Sequence, residues 1–339
     1  MWRVSDDFWD RWPPLHGMFG RLEKWAKFRT PGSWPDADML PFGIVDFNSP
    51  TKFTKDEQTT CMTLWCIARS PLILGADMTR MDEWTAKLLT NREVLAVNQN
   101  SENNRQISRK GDHIVWAADV PNSKDKYVAL FNADSEGFKD VELQKARYQS
   151  IQIGKAGERS CEIKVDIAGK KKLALYASDN GDGFSDDHVA WLNPVLSGPK
   201  GSLSLCDLKW KSANTQWGEV RVGLTTDGNK IDGIGTHANS MIVYDLPEGY
   251  AAFTATAKLV DGREEKGSVD FAVLTDEAFG VDIPAESEVS VDLKELGFGG
   301  KVKVKDLWTG ESLGEFEGRF SRTLKCHAAG LYRISPLEN

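Results

Sequence analysis

The sequence predicts a multidomain protein in which an α/β portion is followed by all-β domains. Three observations favour this fold class. Strand and helix patterns alternate over residues 1–98, short strands separated by polar turns fill the chain from residue 99 onward, and a length of 339 residues allows two or three domains. The first pattern is typical of a parallel sheet or barrel, and the second is typical of β-sandwiches.

The α/β portion contains three strand–helix units. A strand pattern at WRVSDD precedes a helix over 17–28, WPDADML ends a second strand, and SPLILGAD is a nearly continuous apolar strand before a helix over 82–90. After the second strand, TKDEQTTCMTLWCIA is predicted to be a helix, because Thr54 and Glu57 have capping-box spacing. A complete (β/α)8 barrel takes about 250 residues, so this portion can supply about three of its units.

The all-β portion contains eight clear strand patterns. Period-two alternation is bounded by Gly, Asp and Asn in HIVWAADV, KYVALFNA, KKLALYAS, MIVYDL, YAAFTATAKLV, GSVDFAVL, KVKVKDLW and GLYRISP. This spacing predicts antiparallel sheets arranged as more than one sandwich.

Composition limits the classes of function. The net charge of −8 and the isoelectric point near 5.3 argue against a nucleic-acid partner, because no basic block is present, and they suit a neutral ligand such as sugar. The sequence contains no apolar run long enough for a membrane span. Five cysteines without a C-x-x-C motif argue against a zinc ribbon or a redox motif. Cys61 and Cys66 are predicted core residues of one helix, whereas a Cys161–Cys206 bridge stays open.

Aspartates stand at the ends of the three predicted strands. Asp6 and Asp7 end the first strand, Asp36 and Asp38 end the second, and Asp77 ends the third. Because the carboxyl ends of parallel strands meet at one rim, these acids are expected to lie on the same rim. The period-two spacing of Asp36 and Asp38 predicts that both leave the strand on one side. A lone aspartate after a strand is more often a helix cap, which is the simpler interpretation of Asp77.

An arginine and several tryptophans accompany these acids. Arg3 stands four residues before Asp7, and a structural ion pair is one interpretation of that spacing. A pyranose pocket, which uses flat aromatic faces beside carboxylates and arginine, is the other. The tryptophans that favour the second interpretation are Trp2, Trp9, Trp12 and Trp34.

Several stretches resemble one family. WRVSDDFWDRW, SWPDADMLPFG and MTLWCIARSPLILGADMTRMDEWTAKLLTNREVLAVNQN closely resemble the last three barrel units of the α-galactosidases (melibiases) of glycoside hydrolase family 27. YVALFNADSE and the segment from VSVDLKELGFGG to LYRISP resemble the C-terminal antiparallel sandwich of that family. Between them, DNGDGFSDDHVAWLNP, SANTQWGEV, DGIGTHANSMIVYDL and GSVDFAVLTDE resemble an NPCBM-type carbohydrate-binding module, a sandwich of the galactose-binding-like type.

The resemblance implies three domains. Residues 1–98 would be the C-terminal portion of the catalytic barrel. Residues 99–136 and 285–339 would form the C-terminal sandwich, and residues 137–284 would be the inserted module.

The resemblance also implies a reaction and an acid/base residue. Family members are retaining enzymes that hydrolyse terminal α-linked galactose from oligo- or polysaccharides. The position of the acid/base falls on Asp7 rather than Asp6, because Asp10 and Trp12 keep the family's register only with that choice. Arg3 then corresponds to a ligand-contacting arginine.

The W-x-D-x-D stretch supplies the implied substrate contacts. Asp38 is expected to hydrogen-bond sugar hydroxyls, and Met39 is expected to lie against the sugar ring. Trp34 and Asp36, from the same stretch, are further substrate-binding candidates.

The family's nucleophile lies at the end of the fourth strand in a K-Y-D type motif, which these 339 residues do not contain. A retaining mechanism needs two carboxyl groups about 5–5.5 Å apart. The partner of Asp7 is therefore expected from a missing N-terminal barrel segment or from a second chain, and the 339-residue chain alone is expected to be inactive. A signal peptide in the missing segment would make the protein extracellular or periplasmic.

Two other functions stay open. One is a non-catalytic carbohydrate-binding protein, in which the barrel portion only packs against the sandwiches. The other is a family relative that acts on α-N-acetylgalactosamine or β-L-arabinopyranose instead of α-galactosides.

The inserted module has its own candidate residues. His237 and Trp217 are candidate ligand contacts, although a structural histidine in a turn and a core tryptophan are the simpler interpretations. The acidic stretch from Asp179 to Asp187 could hold calcium through hard oxygen ligands, although a solvated acidic turn is the alternative. No other cofactor and no other metal is expected.

Overall fold

A computed structural model of the protein describes residues 1–45, 49–134, 147–154, 160–179, 185–215, 217–226, 229–260, 266–276 and 286–337. The chain forms two compact units. The first unit comprises Met1–Ser135 together with Ile283–Asn339, and the second comprises Glu136–Asp282. The protein is mixed α/β with mostly sheets, in agreement with the coarse fold class that the sequence predicts.

The first unit begins with short strands and four helices. These elements are β1 (Trp2–Arg3), α1 (Trp12–Ala26), β2 (Pro35–Asp36), β3 (Ile44–Val45), β4 (Ser49–Pro50), α2 (Lys55–Ala68), α3 (Glu83–Thr90) and α4 (Arg92–Asn100). A 3₁₀ turn, Met78–Arg80, precedes α3. None of the helices in the described ranges is long and apolar enough to cross a membrane.

Local chemistry explains where these helices begin. Thr54 Oγ1 accepts a hydrogen bond from the Glu57 amide, and Glu57 Oε2 accepts one from the Thr54 amide, so the predicted capping box of α2 is confirmed. Helix α1 begins five residues before the predicted start, because prolines are tolerated in a first turn and Pro13 and Pro14 occupy that turn. Helix α4 was not predicted; Asn91 caps it by accepting from two backbone amides.

The strands of this region are short; β1 and β2 pair in parallel, and β3 and β4 pair antiparallel. Strand β1 pairs with β2 in the register Trp2 to Pro35 and Arg3 to Asp36. The predicted third strand is wrong as an extended element, because in this segment only Leu74 makes a parallel bridge, to Leu40.

The rest of the first unit is a pair of antiparallel sheets. Its strands are β5 (Glu102–Lys110), β6 (His113–Asp119), β7 (Lys126–Asn132), β19 (Glu286–Asp292), β20 (Val302–Asp306), β21 (Ser312–Phe316), β22 (Arg319–Lys325) and β23 (Ala329–Pro336). The larger sheet has the order β21-β20-β23-β7-β6-β5, and β19 pairs with β22.

The larger sheet is buried on both faces at β6 and β7. Trp116 and Phe131 point into a core shared with α1 and α2. Val115 and Leu130 point into a second core that contains Val291 of β19. Period two places alternate side chains on opposite faces, so two buried faces produce the near-continuous apolar runs seen in the sequence.

The second unit is a two-sheet sandwich. Its strands are β8 (Arg147–Gly154), β9 (Ser160–Asp166), β10 (Lys172–Ser178), β11 (His188–Gly198), β12 (Gly201–Ser204), β13 (Ser212–Thr215), β14 (Arg221–Thr226), β15 (Asn229–His237), β16 (Ser240–Asp245), β17 (Ala252–Leu259) and β18 (Ser268–Thr275). One sheet has the order β13-β16-β10-β18-β8, and the other has the order β14-β15-β11-β17-β9 with β12 beside β11. Trp191, Phe253 and Phe271 are fully buried in the core between them.

The cysteines are thiols. Cys61 and Cys66 are fully buried in α2, as the sequence predicts, and burial raises the pKa of both thiols. No disulfide joins Cys161 and Cys206.

Candidate functional site

Three predicted site residues meet where β1 and β2 end. Arg3 Nη2 lies 3.1 Å from Asp38 Oδ2 and 3.5 Å from Asp7 Oδ1. The parallel pairing of β1 with β2 causes this meeting, because the chain leaves both strands at the same edge. The Asp7 side chain is 85% exposed, whereas the Asp38 side chain is 19% exposed. The cluster thus combines one open carboxylate and one sheltered carboxylate on a single guanidinium.

Four interactions fix Asp38. Its carboxylate accepts from the Phe8 amide at 2.7 Å as well as from Arg3, its amide donates to Asp36 Oδ1 at 2.9 Å, and its carbonyl accepts from Trp65 Nε1 at 2.9 Å. Its φ of +74° lies in the left-handed region, which aspartate tolerates better than most residues. Asp38 is therefore a preorganised acceptor at the strand ends.

The spacing of Asp36 and Asp38 predicts that both side chains leave one strand on the same side, but the two residues have different backbone settings. Strand β2 ends at Asp36, and Asp38 lies beyond it in left-handed backbone, so the period-two argument for a shared side does not apply. Asp36 is 5% exposed, and its carboxylate accepts from the Asp38 amide. That contact shapes the turn that presents Asp38, and a direct substrate contact by Asp36 stays a prediction.

Met39 lies against a glycine that must remain small. A Cβ on Gly75 would come within 2.2 Å of Met39 Sδ, so the absence of a side chain at Gly75 leaves room for Met39. The Gly75 amide donates to the Leu40 carbonyl, which holds the two segments together.

Asp77 is a helix cap, as the simpler interpretation of the sequence predicts. Its carboxylate accepts from the Thr79 hydroxyl and amide and from Arg80. These hydrogen bonds lower the pKa of Asp77 to about 2. Asp77 thus acts locally at the turn before α3.

Trp34 does not join the Arg3 cluster. It immediately precedes β2, and its ring lies 4.2 Å from the Arg69 guanidinium. Arg69 donates to the carbonyls of Asn98, Gln99 and Ser101 at the end of α4. The structure therefore brings Arg3, Asp7 and Asp38 together and places Trp34 elsewhere.

The second unit holds a three-ring aromatic cluster. The rings of His188 and His237 lie 4.7 Å apart, and the ring of Trp217 lies 5.5 Å from the first and 5.7 Å from the second. His237 is buried, with Nδ1 2.7 Å from the Ala238 carbonyl, and its amide donates to Thr215 Oγ1. Trp217 is 59% exposed, so the predicted alternative of a core tryptophan is wrong.

The acidic stretch from Asp179 to Asp187 is only partly described. Residues 180–184 lie outside the described residues, so a calcium site there stays a prediction. Within the described ranges, no group of three or more His, Cys, Asp or Glu side chains is arranged to hold a metal.

Sequence reasoning missed the residues that position Asp38. Trp65 has helical spacing typical of a core residue, and no local signal indicates that its indole N–H would reach a carbonyl 27 positions away. The Phe8 amide is a backbone group and carries no sequence signal at all. His188, which directly follows the acidic stretch, was not predicted as a ligand contact.

Comparison with known families assigns the chain. The model described as "Alpha galactosidase A" matches residues 1–100, and the one described as "Alpha galactosidase C-terminal beta sandwich domain" matches residues 258–334. The chain belongs to the α-galactosidase family. The family is one of glycoside hydrolases, and this member also carries a match to the "NPCBM/NEW2 domain" over residues 201–294.

Individual relatives agree with this α-galactosidase assignment. "Alpha-galactosidase 2" of Arabidopsis thaliana is 36% identical over 137 residues, which are 40% of this chain and 33% of that protein. The "Alpha-galactosidase" of Cyamopsis tetragonoloba is 31% identical over 178 residues, which are 48% of this chain and 42% of that protein. The present chain thus spans less than half the length of each of these two relatives.

A similar solved structure belongs to the same family, but its name specifies a different sugar. A GH27 β-L-arabinopyranosidase from Geobacillus stearothermophilus, in complex with arabinose, aligns with a TM-score of 0.53 and 26% identity. The alignment covers 100% of the present chain and 46% of the arabinopyranosidase chain. GH27 neighbours of this kind combine a TIM barrel with a C-terminal β-sandwich.

Proposed function

We propose that the chain supplies the acid/base half of a retaining α-galactoside hydrolase. In this proposal the first residues form the last three units of a (β/α)8 barrel, and the nucleophile comes from a segment outside these 339 residues. The observation that carries the proposal is the cluster of Arg3, Asp7 and Asp38 at the ends of a parallel strand pair.

The three side chains have separate tasks in the proposed reaction. Asp7 donates a proton to the glycosidic oxygen as the bond breaks, then removes a proton from the water that hydrolyses the glycosyl-enzyme. Its high exposure suits a group that must exchange protons with leaving group and water. Asp38, fixed by the Phe8 amide and Trp65, accepts hydrogen bonds from sugar hydroxyls.

Arg3 links the two carboxylates. Its guanidinium contacts the Asp38 carboxylate and has further N–H groups that can donate to a sugar hydroxyl. A second carboxylate within about 5–5.5 Å of Asp7 would act as nucleophile, and its negative charge would help keep the general acid protonated until reaction. Asp38 is not assigned that role, because its carboxylate already accepts from the Phe8 amide and contacts Arg3.

The test compares Asp7→Asn with Asp6→Asn in the chain joined to the segment that carries the nucleophile. Asp6 is the matched control, because it is the adjacent carboxylate on the same loop. For Asp7→Asn, we expect kcat/KM for an α-galactosyl disaccharide to fall by about 10²–10⁴-fold, and kcat/KM for a nitrophenyl α-galactoside to fall much less, because an activated leaving group needs little proton donation. Equal losses on both substrates, or a larger loss for Asp6→Asn, would refute the assignment.

The chain alone provides a second test. Without the second carboxylate the covalent step has no nucleophile, so the purified 339 residues should release no nitrophenol from an aryl α-galactoside. Rapid release would show that the chain contains its own nucleophile.

The sugar is proposed to be α-galactose, with β-L-arabinopyranose and α-N-acetylgalactosamine as alternatives. The α-galactosidases among the relatives favour the first sugar, and the arabinopyranosidase structure favours testing the second. The ratio of kcat/KM values for the three nitrophenyl glycosides would decide among them. We also propose an extracellular or periplasmic location, which cell fractionation would test.

A second candidate function is carbohydrate binding by the second unit. Trp217 offers an exposed indole that packs beside two imidazole rings, which is a surface suited to stacking against a sugar ring. In calorimetry with galactosides, Trp217→Ala should abolish binding to this unit and Trp217→Phe should retain part of it. Unchanged affinity in both variants would remove Trp217 from the site.

A further inference from the structure

A large groove lies in the first unit, away from the Arg3 cluster. Its volume is about 1100 Å³, and its walls come from the end of α1, the loop before β2, and residues 101–106. Trp34 marks its position, because this residue immediately precedes β2 whereas Asp38 follows that strand. The groove therefore belongs to the amino-terminal end of the strand pair, and the proposed reaction does not use it.

The groove concentrates positive charge in an acidic protein. Five cationic side chains and two carboxylates line it, although the net charge of the whole chain is −8. Within the described ranges, none of the five cations makes an ion pair with a carboxylate. The five are Lys24, Lys27, Arg29, Arg69 and Arg105.

Three of these cations donate to neutral backbone carbonyls, and Arg105 does so through a single bond to Asn103. Arg29 donates to the carbonyls of Ala68 and Asn104, and Arg69 donates to carbonyls at the end of α4. The carbonyl dipoles orient the guanidinium groups and offset part of their positive charge, but each group keeps its net charge. Burial and the neighbouring charge of Arg69 lower the pKa of Arg29 to about 10, as expected for two like charges close together.

The wall also contains amide oxygens that need donors. Asn104 Oδ1 and Gln106 Oε1 are buried and have no hydrogen-bond partner in the described part of the chain. The orientation of the Asn104 amide is set by its Nδ2, which donates to the Ile67 carbonyl at 2.7 Å. A hydroxyl group can donate to such oxygens, whereas sulfate, which carries no O–H at neutral pH, cannot.

We propose that this groove binds an acidic oligosaccharide. Its carboxylate or sulfate groups would face the cations, and its hydroxyls would supply donors to the amide oxygens. The volume slightly exceeds the usual range for small-molecule sites, which suits a ligand of several sugar rings. The site is separate from the proposed reaction, so its failure would leave the assignment of Asp7 unaffected.

The test measures binding of a galacturonic acid trisaccharide to the 339-residue chain by calorimetry. Lys24, Lys27 and Arg105 are exposed, so their simultaneous change to Gln should leave the fold intact. The control changes three exposed lysines in the antiparallel-sheet part of the first unit to Gln and alters the net charge equally; these are Lys294, Lys303 and Lys325. We expect the groove variant to bind at least tenfold more weakly and the control variant to bind within twofold of the unmodified chain.

Three further outcomes would overturn the proposal. No binding of the acidic trisaccharide by the unmodified chain would exclude the ligand class. Competition by inorganic sulfate at equal concentration would indicate a simple oxyanion site, and binding of a single-stranded DNA hexamer with the same sensitivity to the groove variant would indicate nucleic acid. The neutral galactose trisaccharide should be bound equally by the groove variant and the unmodified chain. Single substitution Arg105→Gln provides a milder variant if the triple change unfolds the protein.

Discussion

The hydrogen bond from Trp65 to Asp38 links the core of the first unit to its candidate site. Trp65 is fully buried in α2, packs 4.9 Å from the ring of Phe8, and donates from Nε1 to the Asp38 carbonyl at 2.9 Å. Trp65→Phe would remove the indole N–H together with part of the ring volume. The Asp38 carbonyl would then lose its indole donor in a part-buried position.

Trp116 provides a matched control for this change. It is also fully buried in the core beside α1 and α2, but its Nε1 has no hydrogen-bond partner among the described residues. Trp116→Phe therefore removes a similar volume without breaking a hydrogen bond. The difference between the two variants combines the bond lost at Trp65 with the unpaired buried N–H removed at Trp116, and an unsatisfied buried polar group costs about 1–3 kcal/mol. We expect Trp65→Phe to lower the free energy of unfolding by about that much more than Trp116→Phe does.

The assay must report on the first unit alone, because the chain has two compact units. Hydrogen exchange of the α2 amides, followed by mass spectrometry in increasing urea, meets this requirement. A difference of 1 kcal/mol corresponds to about 2–4 °C in melting temperature for a domain of this size. Equal destabilisation by the two variants would refute the reasoning, since the ring volume alone would then account for both.

Other contacts in the first unit give three further predictions. Burial raises the pKa of Glu57, but hydrogen bonds from His327 and Thr54 outweigh that effect, so the pKa is lowered. Ionised Glu57 should therefore stabilise the fold above the ordinary pKa near 4.5, and this stabilisation should be lost as the pH falls. The free energies of urea unfolding of Glu57→Gln and of the unmodified chain should converge at low pH, and a constant difference would contradict this. Gly75→Ala should destabilise by about 1–3 kcal/mol, because the new Cβ overlaps Met39, and thermal unfolding showing no loss would contradict the crowding. Gly20→Ala, in the same assay, should stabilise by about 0.5–1 kcal/mol, because a Cβ there on α1 meets no atom within 4 Å; destabilisation would be the contrary result.

Local interactions allowed much of the secondary structure to be predicted. The Thr54–Glu57 capping box, the helix after Asp82 and the buried alternation of β6 and β7 all depend on residues close in sequence. The motifs around Arg3, Asp7 and Asp38 also indicated the family, and the family matches agree. The predicted start of helix α1 was wrong, because prolines occur both before helices and in their first turn. The predicted third strand was wrong as an extended element, because an apolar run does not show whether it will find strand partners.

The sequence by itself determined which residues could carry charge and chemistry, and the tertiary structure decided which of them meet. Arg3 reaches Asp38 across 35 positions only because β1 and β2 run side by side, and Trp65 reaches the Asp38 carbonyl only because α2 packs beneath the same turn. The same packing places Trp34 in the wall of the groove, beside Arg69. Contacts between distant residues depend on how whole elements pack, and local patterns contain no information on that packing.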